Sequence, residues 1–279
     1  MQTEAHREFE FLDSDFTRIV RLVKDQSGIA LGERKRDLVY GRLARRLRAL
    51  GIKKFSDYCE ILESPNGASE CGLMTNAITT NLTGFFREPH HFDFLSDEVF
   101  PALIKSRPAA KRRLRIWSAA CSSGEEPYSI AMTVCKAFGD VSVWDIKILA
   151  TDIDTDMIAI AKAGRYEGKR ADAIPAQFRS KYAKEIDDQI FEMSPAVKSL
   201  IGFNQLNLLD PWPMQGAFDI IFCRNVVIYF DKPTQRILFD RYAEILAPGG
   251  LLFIGHSESL FQVSDRFRHL GRTIYQRLT

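Results

Sequence analysis

The sequence predicts an α/β fold. A mostly parallel sheet with helices on both faces and an antiparallel last strand follows an all-α domain, and a small antiparallel β-subdomain is inserted within it. Three observations predict this. The first ~75 residues repeat apolar side chains only at helical spacing. From Leu114 onward, apolar runs and amphipathic stretches alternate as strand and helix. The chain ends in two short strand-like runs around Gly271, a hairpin that cannot continue a parallel wind.

In the helical part, Asp13 or Ser14 can cap a helix running to about Gln26, with Phe16, Ile19, Val20 and Val23 at helical spacing. "SGIALGE" breaks it. "RKRDLVYGRLARRLRALG" is the next helix, stopped by Gly51. Val39, Leu43, Leu47 and Leu50 share one face, and Lys35, Arg42, Arg45 and Arg46 the other. Further helices are expected over Ser56–Glu63 and about Ser69–Thr79.

In the second part, "LRIWSAA", "IKILATD", "GFNQLNLL", "FDIIFCRN" and "GLLFIGHS" read as strands. "EPYSIAMTVCKAF", "TDMIAIAKAG" and "KPTQRILFDRYAEIL" read as helices, two of them with Pro near the first turn. Residues 165–200 interrupt the alternation with one helix and two strand-like runs, "QIFEMS" and "AVKSLIGF". The expected division is a helical domain over 1–78, a linker over 79–100 and the α/β domain over 101–279, with the insert at about 168–203.

Composition narrows the class. No stretch reaches the ~18 apolar residues of a membrane span. The polar, acidic start "MQTEAHREFEFLDSDF" is unlike a signal peptide, so a cytoplasmic protein is expected. The five cysteines form no CxxC pair, which suggests buried thiols rather than zinc ligands or disulfides. Net charge is only +2, so any basic surface must come from local patterning.

Ligands of such sheets bind beyond the C-terminal strand ends. After the first strand, "AACSSGEEP" offers small residues that let backbone approach a ligand closely, but no GxGxxG. Glu125 and Glu126 would repel a pyrophosphate at that helix start and favour a cation. The plainer alternative is that acids simply suit a helix N-terminus. After the second strand, Asp152 can accept bonds from ribose hydroxyls, while Asp154 suits a helix cap. Asn207 and Leu208 can frame an adenine, and "CRN" ends the next strand. Together these describe a nucleoside with a cationic, phosphate-free tail, which S-adenosylmethionine fits.

Five blocks, "TTNLTGFFREPHHF", "WSAACSSGEEPYSIAM", "ATDIDTDMIAIAKAGRY", "FDIIFCRNVVIYFD" and "LAPGGLLFIGHSES", resemble the CheR family of chemotaxis receptor methyltransferases, from about residue 13 to the C-terminus. The resemblance implies a class I S-adenosylmethionine-dependent methyltransferase domain, Rossmann-like, behind a substrate-recognising helical domain. It implies methyl transfer to glutamate side chains of chemoreceptors, with S-adenosylhomocysteine as product. It implies cofactor contacts at Asn81, Thr83 and Arg87 in the linker and at Glu126, which matches the acid meeting the methionine amino group. It implies further contacts at Asp152, Asn207, Leu208, Arg224 and Asn225, and matches Tyr229 to an aromatic near the transferred methyl. Some members bind a pentapeptide tether at the receptor C-terminus through the β-subdomain, using a longer, glycine-containing loop. Here the stretch is "AKEIDDQ", so tether independence is expected.

The chemistry asks little acid–base work of the protein. A glutamate carboxylate, with a reference pKa near ~4.3, is already the nucleophile at neutral pH. The enzyme must align oxygen, methyl and sulfur and exclude water. Arg87 can hold the cofactor carboxylate or steer the substrate's. Tyr229 can pack beside the methyl or hydrogen-bond the glutamate. Both are the candidate catalytic residues.

Glu33–Lys54 holds nine basic residues against two acidic ones. A charged outer face is usually just solvated. An acidic substrate helix would nonetheless be steered by it, and the resemblance assigns this domain to receptor recognition, which singles out Arg42, Arg45 and Arg46. A monomer with the cytoplasmic part of chemoreceptors as its partner, no membrane insertion and no nucleic acid is the expectation. The alternative is a nucleic-acid methyltransferase using the basic helix, although "RNVVIYF" stands where base-amine enzymes carry Asn/Asp-Pro-Pro-Tyr/Phe. A non-catalytic binder of the cofactor and an NAD dehydrogenase are disfavoured by the intact pocket residues and the missing GxGxxG.

The linker "NLTGFFREPHHF" is expected to fold over the pocket, with Phe85 and Phe86 anchoring it to the domain beneath. No metal is expected there, because adjacent residues such as His90 and His91 project about 100° apart on a helix. His256 suits a rim or capping role.

Overall fold

The computed structural model describes residues 7–109 and 112–278, so the first six residues of the polar, acidic start lie outside the described residues. The chain divides into two compact units. One runs to Thr80 and includes Tyr229–Asp231; the other comprises Asn81–Ile228 and the chain from Lys232.

The first unit contains α1 (Asp13–Ser27), α2 (Arg36–Leu50), α3 (Phe55–Glu63) and α4 (Ala68–Ile78). The start of α1 differs from expectation. Neither Asp13 nor Ser14 caps it; the helix is entered at Leu12, whose N–H donates to the Asp15 carboxylate at 3.0 Å. Gly51 ends α2 as expected, at φ 68°, where a side chain would be strained. Phe16, Ile19, Val23, Val39, Leu43, Leu47, Phe55, Tyr58 and Met74 are buried together. Leu50 was expected on that face but is exposed, because the helix ends beneath it.

The second unit begins with the linker and enters helix unforeseen by the sequence pattern. Here α5 (His90–Phe94) passes through a wider π turn (Leu95–Val99) into α6 (Phe100–Ser106). Then follow β1 (Arg113–Ala119), α7 (Glu125–Phe138), β2 (Asp145–Asp152), α8 (Thr155–Ala163), β3 (Arg165–Glu167), α9 (Ala176–Tyr182), β4 (Ala183–Glu185), β5 (Ile190–Met193), α10 (Pro195–Lys198) and β6 (Ile201–Gln205). The remainder is β7 (Phe218–Cys223), α11 (Lys232–Ile245), β8 (Leu246–Ile254), β9 (Phe267–Gly271) and β10 (Ile274–Arg277).

Among the described residues the main sheet has seven strands, in the order β6-β2-β1-β7-β8-β10-β9. All pairings are parallel except those of β10, which runs antiparallel to β8 and β9. This is a parallel wind with an antiparallel closing strand, as the terminal hairpin predicts. The central strands are buried on both faces, which is why they read as nearly unbroken apolar runs. No helix of the described residues is long and apolar enough to cross a membrane.

The insert is a three-stranded antiparallel sheet, β3-β5-β4. "QIFEMS" supplies its central strand, but "AVKSLIGF" does not belong to it: Pro195–Lys198 is a helical turn and Ile201–Gln205 joins the main sheet beside β2. Its outer strands are three residues each, too short to carry a periodic signal.

Candidate active site

The site forms where β1, β2, β6 and β7 end. The loop between β1 and α7 turns through positive φ at Ala120 (65°), Ser122 (49°) and Gly124 (98°), so it curls back on itself with little side-chain bulk. Asp152, at the end of β2, holds that curl. Its Oδ2 accepts from the Ser122 N–H at 2.7 Å and its Oδ1 from the Asp154 N–H at 2.9 Å. Each oxygen keeps a further lone pair for a ligand hydroxyl. Burial pushes the Asp152 carboxyl up to about 6, against the lowering effect of those N–H bonds. Asp154 caps α8 as expected, accepting from Asp156 and Met157 at 3.0 and 3.2 Å.

The linker closes on the same loop. The Asn81 side-chain amide donates to Asp154 at 2.7 Å, and Ser122 Oγ donates to the Asn81 carbonyl at 3.1 Å. Thr83 and Arg87 are half-buried, and the Arg87 guanidinium donates to the Leu82 carbonyl at 2.8 Å, which tightens the linker's own turn. Phe85 and Phe86 are buried as anchors.

Glu126 is centred in a buried ionic group. Ser118 Oγ donates to its Oε1 at 2.7 Å, and Arg224 Nη1 donates to its Oε2 at 3.1 Å. Burial raises the Glu126 carboxyl, and the Arg224 charge pulls the other way. The Arg224 guanidinium is buried. It also lies 3.3 Å from Glu88 Oε2 and donates to the Arg87 carbonyl. Asn225 follows at φ 58°. Glu258 fixes this turn: its carboxylate accepts from the N–H groups of Gly255 (2.6 Å), Asn225 (2.9 Å), Val226 (2.8 Å), Val227 (2.9 Å) and Ile228 (3.4 Å). A Cβ on Gly255 would come within 2.4 Å of the Asn225 side chain, so only glycine fits beside it. After β6, Asn207 Oδ1 accepts from the Leu209 N–H at 3.1 Å. Leu208 is buried, with its carbonyl held by Arg241 at 2.7 Å.

Glu88 was not singled out by sequence, and it reorganises the reading of the histidines. Its Oε1 meets His256 Nδ1 at 2.9 Å, and its Oε2 lies 3.7 Å from His91 Nδ1. Burial would raise the Glu88 carboxyl, but the His256 bonds and the Arg224 charge outweigh it and lower it to about 2. His90 and His91 do converge, contrary to the expectation from helix geometry: their rings lie 4.2 Å apart and both Nε2 atoms face the Arg272 carbonyl. Torsion about each side chain overrides the separation of the Cβ directions. Ligand atoms of Glu88, His90 and His91 lie within 4.8 Å of one another, a spacing a metal could bridge. The Arg224 guanidinium already neutralises the carboxylate such an ion would need. Burial, with the charges of Arg224 and His90, depresses His91 to about 3, so its imidazole is neutral.

The remaining expected residues lie in the helical unit. Tyr229 packs against that unit's core, its carbonyl accepts from the Ala30 N–H at 2.8 Å, and Lys35 Nζ lies 5.3 Å from the centre of its ring. Arg42 donates to the carbonyls of Ile78 and Thr79 and to Thr80 Oγ1, closing the C-terminus of α4. Arg46 makes a two-point bond to Glu70, at 2.9 and 2.7 Å, and Glu70 also accepts from Tyr58 Oη at 2.8 Å. Arg45 is exposed.

Comparison with known proteins decides the family. Residues 81–276 match the family model described as CheR methyltransferase, SAM binding domain, and residues 14–79 match CheR methyltransferase, all-alpha domain. The chain belongs to the CheR methyltransferase family. It is similar to a protein of Rhizobium etli named probable chemotaxis protein methyltransferase, 45% identical over 92% of this chain and 97% of that one. It is also similar to chemotaxis protein methyltransferase 2 of Pseudomonas aeruginosa, 41% identical over 97% and 95% of the two chains, and to the Escherichia coli chemotaxis protein methyltransferase, 41% identical over 94% and 90%.

The enzyme is therefore an S-adenosylmethionine-dependent methyltransferase, and its strand ends fit that cofactor. Two carboxyls raised by burial, Asp152 and Glu126, sit at adjacent strand ends, where a cationic ligand with a ribose would favour their ionised forms. The five cysteines are buried free thiols, and burial raises Cys121 and Cys223 at the strand ends, so no thiolate is available there.

Proposed function

We propose that this CheR methyltransferase acts in chemotactic adaptation, esterifying the side-chain carboxylates of specific glutamates on acidic helices of chemoreceptors. The observation that carries the reading is the Glu126–Arg224–Glu88 group, with Asp152 at the end of β2, in a chain whose relatives named for chemotaxis methylation match nearly end to end. S-adenosylmethionine, when bound, supplies an activated methyl on a sulfonium. The chain's own residues orient and desolvate. Glu126 receives the amino group, Asp152 the ribose hydroxyls, and Asn207 and Leu208 the adenine. Asn81 and Thr83 wall the site, and Arg224 and Asn225 hold the strand-end turn. Arg87 directs a carboxylate and Tyr229 packs or bonds near the methyl. No general base is needed, because the substrate carboxylate is ionised at neutral pH.

For recognition, we infer that Arg45, with the exposed Leu38 of α2 and Arg34 of the 3-10 turn before it, meets the acidic receptor helix, while Arg42 and Arg46 hold α2 in place. The enzyme then works in the cytoplasm as a monomer and needs no receptor tether. In support of the last point, the β4–β5 turn is short and closed: Asp187 Oδ1 accepts from the N–H groups of Gln189 and Ile190, both at 2.8 Å. Tight binding of a labelled tether pentapeptide would overturn that part.

The main test is incubation with radiolabelled S-adenosylmethionine and receptor-containing membranes. Label on the receptor that mild alkali releases as methanol is expected, since glutamyl methyl esters hydrolyse readily. Alkali-stable label, or label on nucleic acid, would sink the reading.

A further inference from the structure

We propose that the inserted β-subdomain sets cofactor affinity, with Arg170 and Tyr166 as positioning residues for the cofactor loop. Arg170 lies in the 3-10 turn that follows β3, and Tyr166 lies on β3 itself. Glu125 and Glu126 are neighbours with different partners. Glu126 turns to Arg224, whereas Glu125 is fully buried and turns to the insert, where Arg170 Nη1 reaches its Oε1 at 2.5 Å. Ser123 Oγ donates to the other oxygen of Glu125 at 2.7 Å. Tyr166 Oη donates to the Ser123 carbonyl at 2.8 Å. A Cβ on Gly124 would come within 2.8 Å of Ala161 and 3.0 Å of Tyr166 Oη, so the loop is seated hard against α8 and β3.

The same sheet seats the opposite wall. Phe85 meets Tyr166 edge-on at 5.1 Å and Phe191 at 5.9 Å, and Phe86 stacks on Phe178 of α9 at 5.0 Å. Both the loop carrying Ser122 and Glu126 and the linker carrying Asn81 and Arg87 therefore rest on the insert. A fully buried carboxylate holds its geometry only while it is paired. Losing Arg170 turns Glu125 toward another donor and pulls the first turn of α7, including Glu126, with it. By linkage, a partner that shifts Arg170 on the insert changes cofactor affinity, and the cofactor changes that partner's affinity by the same factor.

The inference rests on the cofactor lying at these strand ends. Its test is calorimetric binding of S-adenosylhomocysteine to the full chain, alongside circular dichroism and separate KM values for cofactor and receptor. Arg170→Ala is expected to weaken binding about tenfold or more, the loss of one charge-assisted hydrogen bond. KM for the cofactor should rise with it, while KM for the receptor holds. Arg170→Lys should recover most of the loss. Tyr166→Phe, which keeps the ring under Phe85, should weaken binding by a smaller factor and carries the test if Arg170→Ala does not fold. Folded variants that bind as wild type would overturn the inference. So would a lower stoichiometry at unchanged Kd, which is the signature of mere destabilisation. No binding by the wild type would instead reject the cofactor assignment.

Discussion

The strand-end site and the basic face of α2 both hold arginines, and the structure uses arginine differently in each. Arg224 is buried between Glu88 and Glu126, at the end of a central strand. Of the three α2 arginines singled out, Arg42 and Arg46 bond α4, and only Arg45 projects into solvent. The end of a parallel strand fixes where the residues that follow it lie, at the ligand crevice. A helix face does not: residues at neighbouring positions on it reach an adjacent helix or solvent according to packing, and the sequence gives the same letter for both.

The comparison can be broken at its strong end first. Arg224→Ala leaves Glu88 and Glu126 buried without their shared cation, a loss of about 3–5 kcal/mol in the site. S-adenosylhomocysteine binding and methylation should fall by at least two orders of magnitude, measured by calorimetry and label transfer. Wild-type affinity in this variant would mean that the cluster is merely structural.

The same pocket should carry a pH signature. Asp152 has a carboxyl raised to about 6 by burial, and Glu126 is raised in the same direction. The ionised forms are the ones that accept from ribose and amino groups. In the free enzyme Asp152 is protonated below about pH 6, so binding must expel its proton. S-adenosylhomocysteine affinity should therefore be level above about pH 7 and fall by up to about tenfold per unit below about pH 6. Asp152→Asn should bind more weakly and lose most of that slope. A profile that stays level down to pH 5 would contradict the assignment.

The weak end is the α2 face, where two neighbouring arginines should separate. Arg46→Ala removes a half-buried pair that also orders Tyr58, and should cost about 2 kcal/mol, read as a melting temperature several degrees lower with cofactor affinity intact. Arg45→Glu should change stability by no more than about 0.5 kcal/mol, yet raise the receptor KM several-fold, more so at low salt. If Arg46→Ala instead left stability alone and raised the receptor KM, the division of labour between the two arginines would be reversed.

Much of this was legible in the chain itself. Buried parallel strands announce themselves as apolar runs, and the residues following each run fall at the crevice, so Asp152, Glu126, Arg224 and Asn225 could be placed by counting. Asp154 as a cap and Gly51 as a terminator follow from local chemistry alone. Glu88, Glu258, Tyr166 and Arg170 were not legible. Each acts on a partner about 30 to 170 positions away. Nothing local distinguishes Glu258, which gathers five backbone N–H groups, from a glutamate on a loop.

The order of the residues alone carried the layered fold, the antiparallel closing strand, the family and the strand ends at which the candidate site lies. All of these rest on periodicity or on residues adjacent in the chain. Only the tertiary structure decided which charges meet. It paired Glu125 with the insert and Glu126 with Arg224, turned His90 and His91 toward one carbonyl, and drew Arg42 and Arg46 into the helical unit. Ion pairs depend on side-chain reach across packed elements and on the burial around them, and neither quantity is written in the order of the residues.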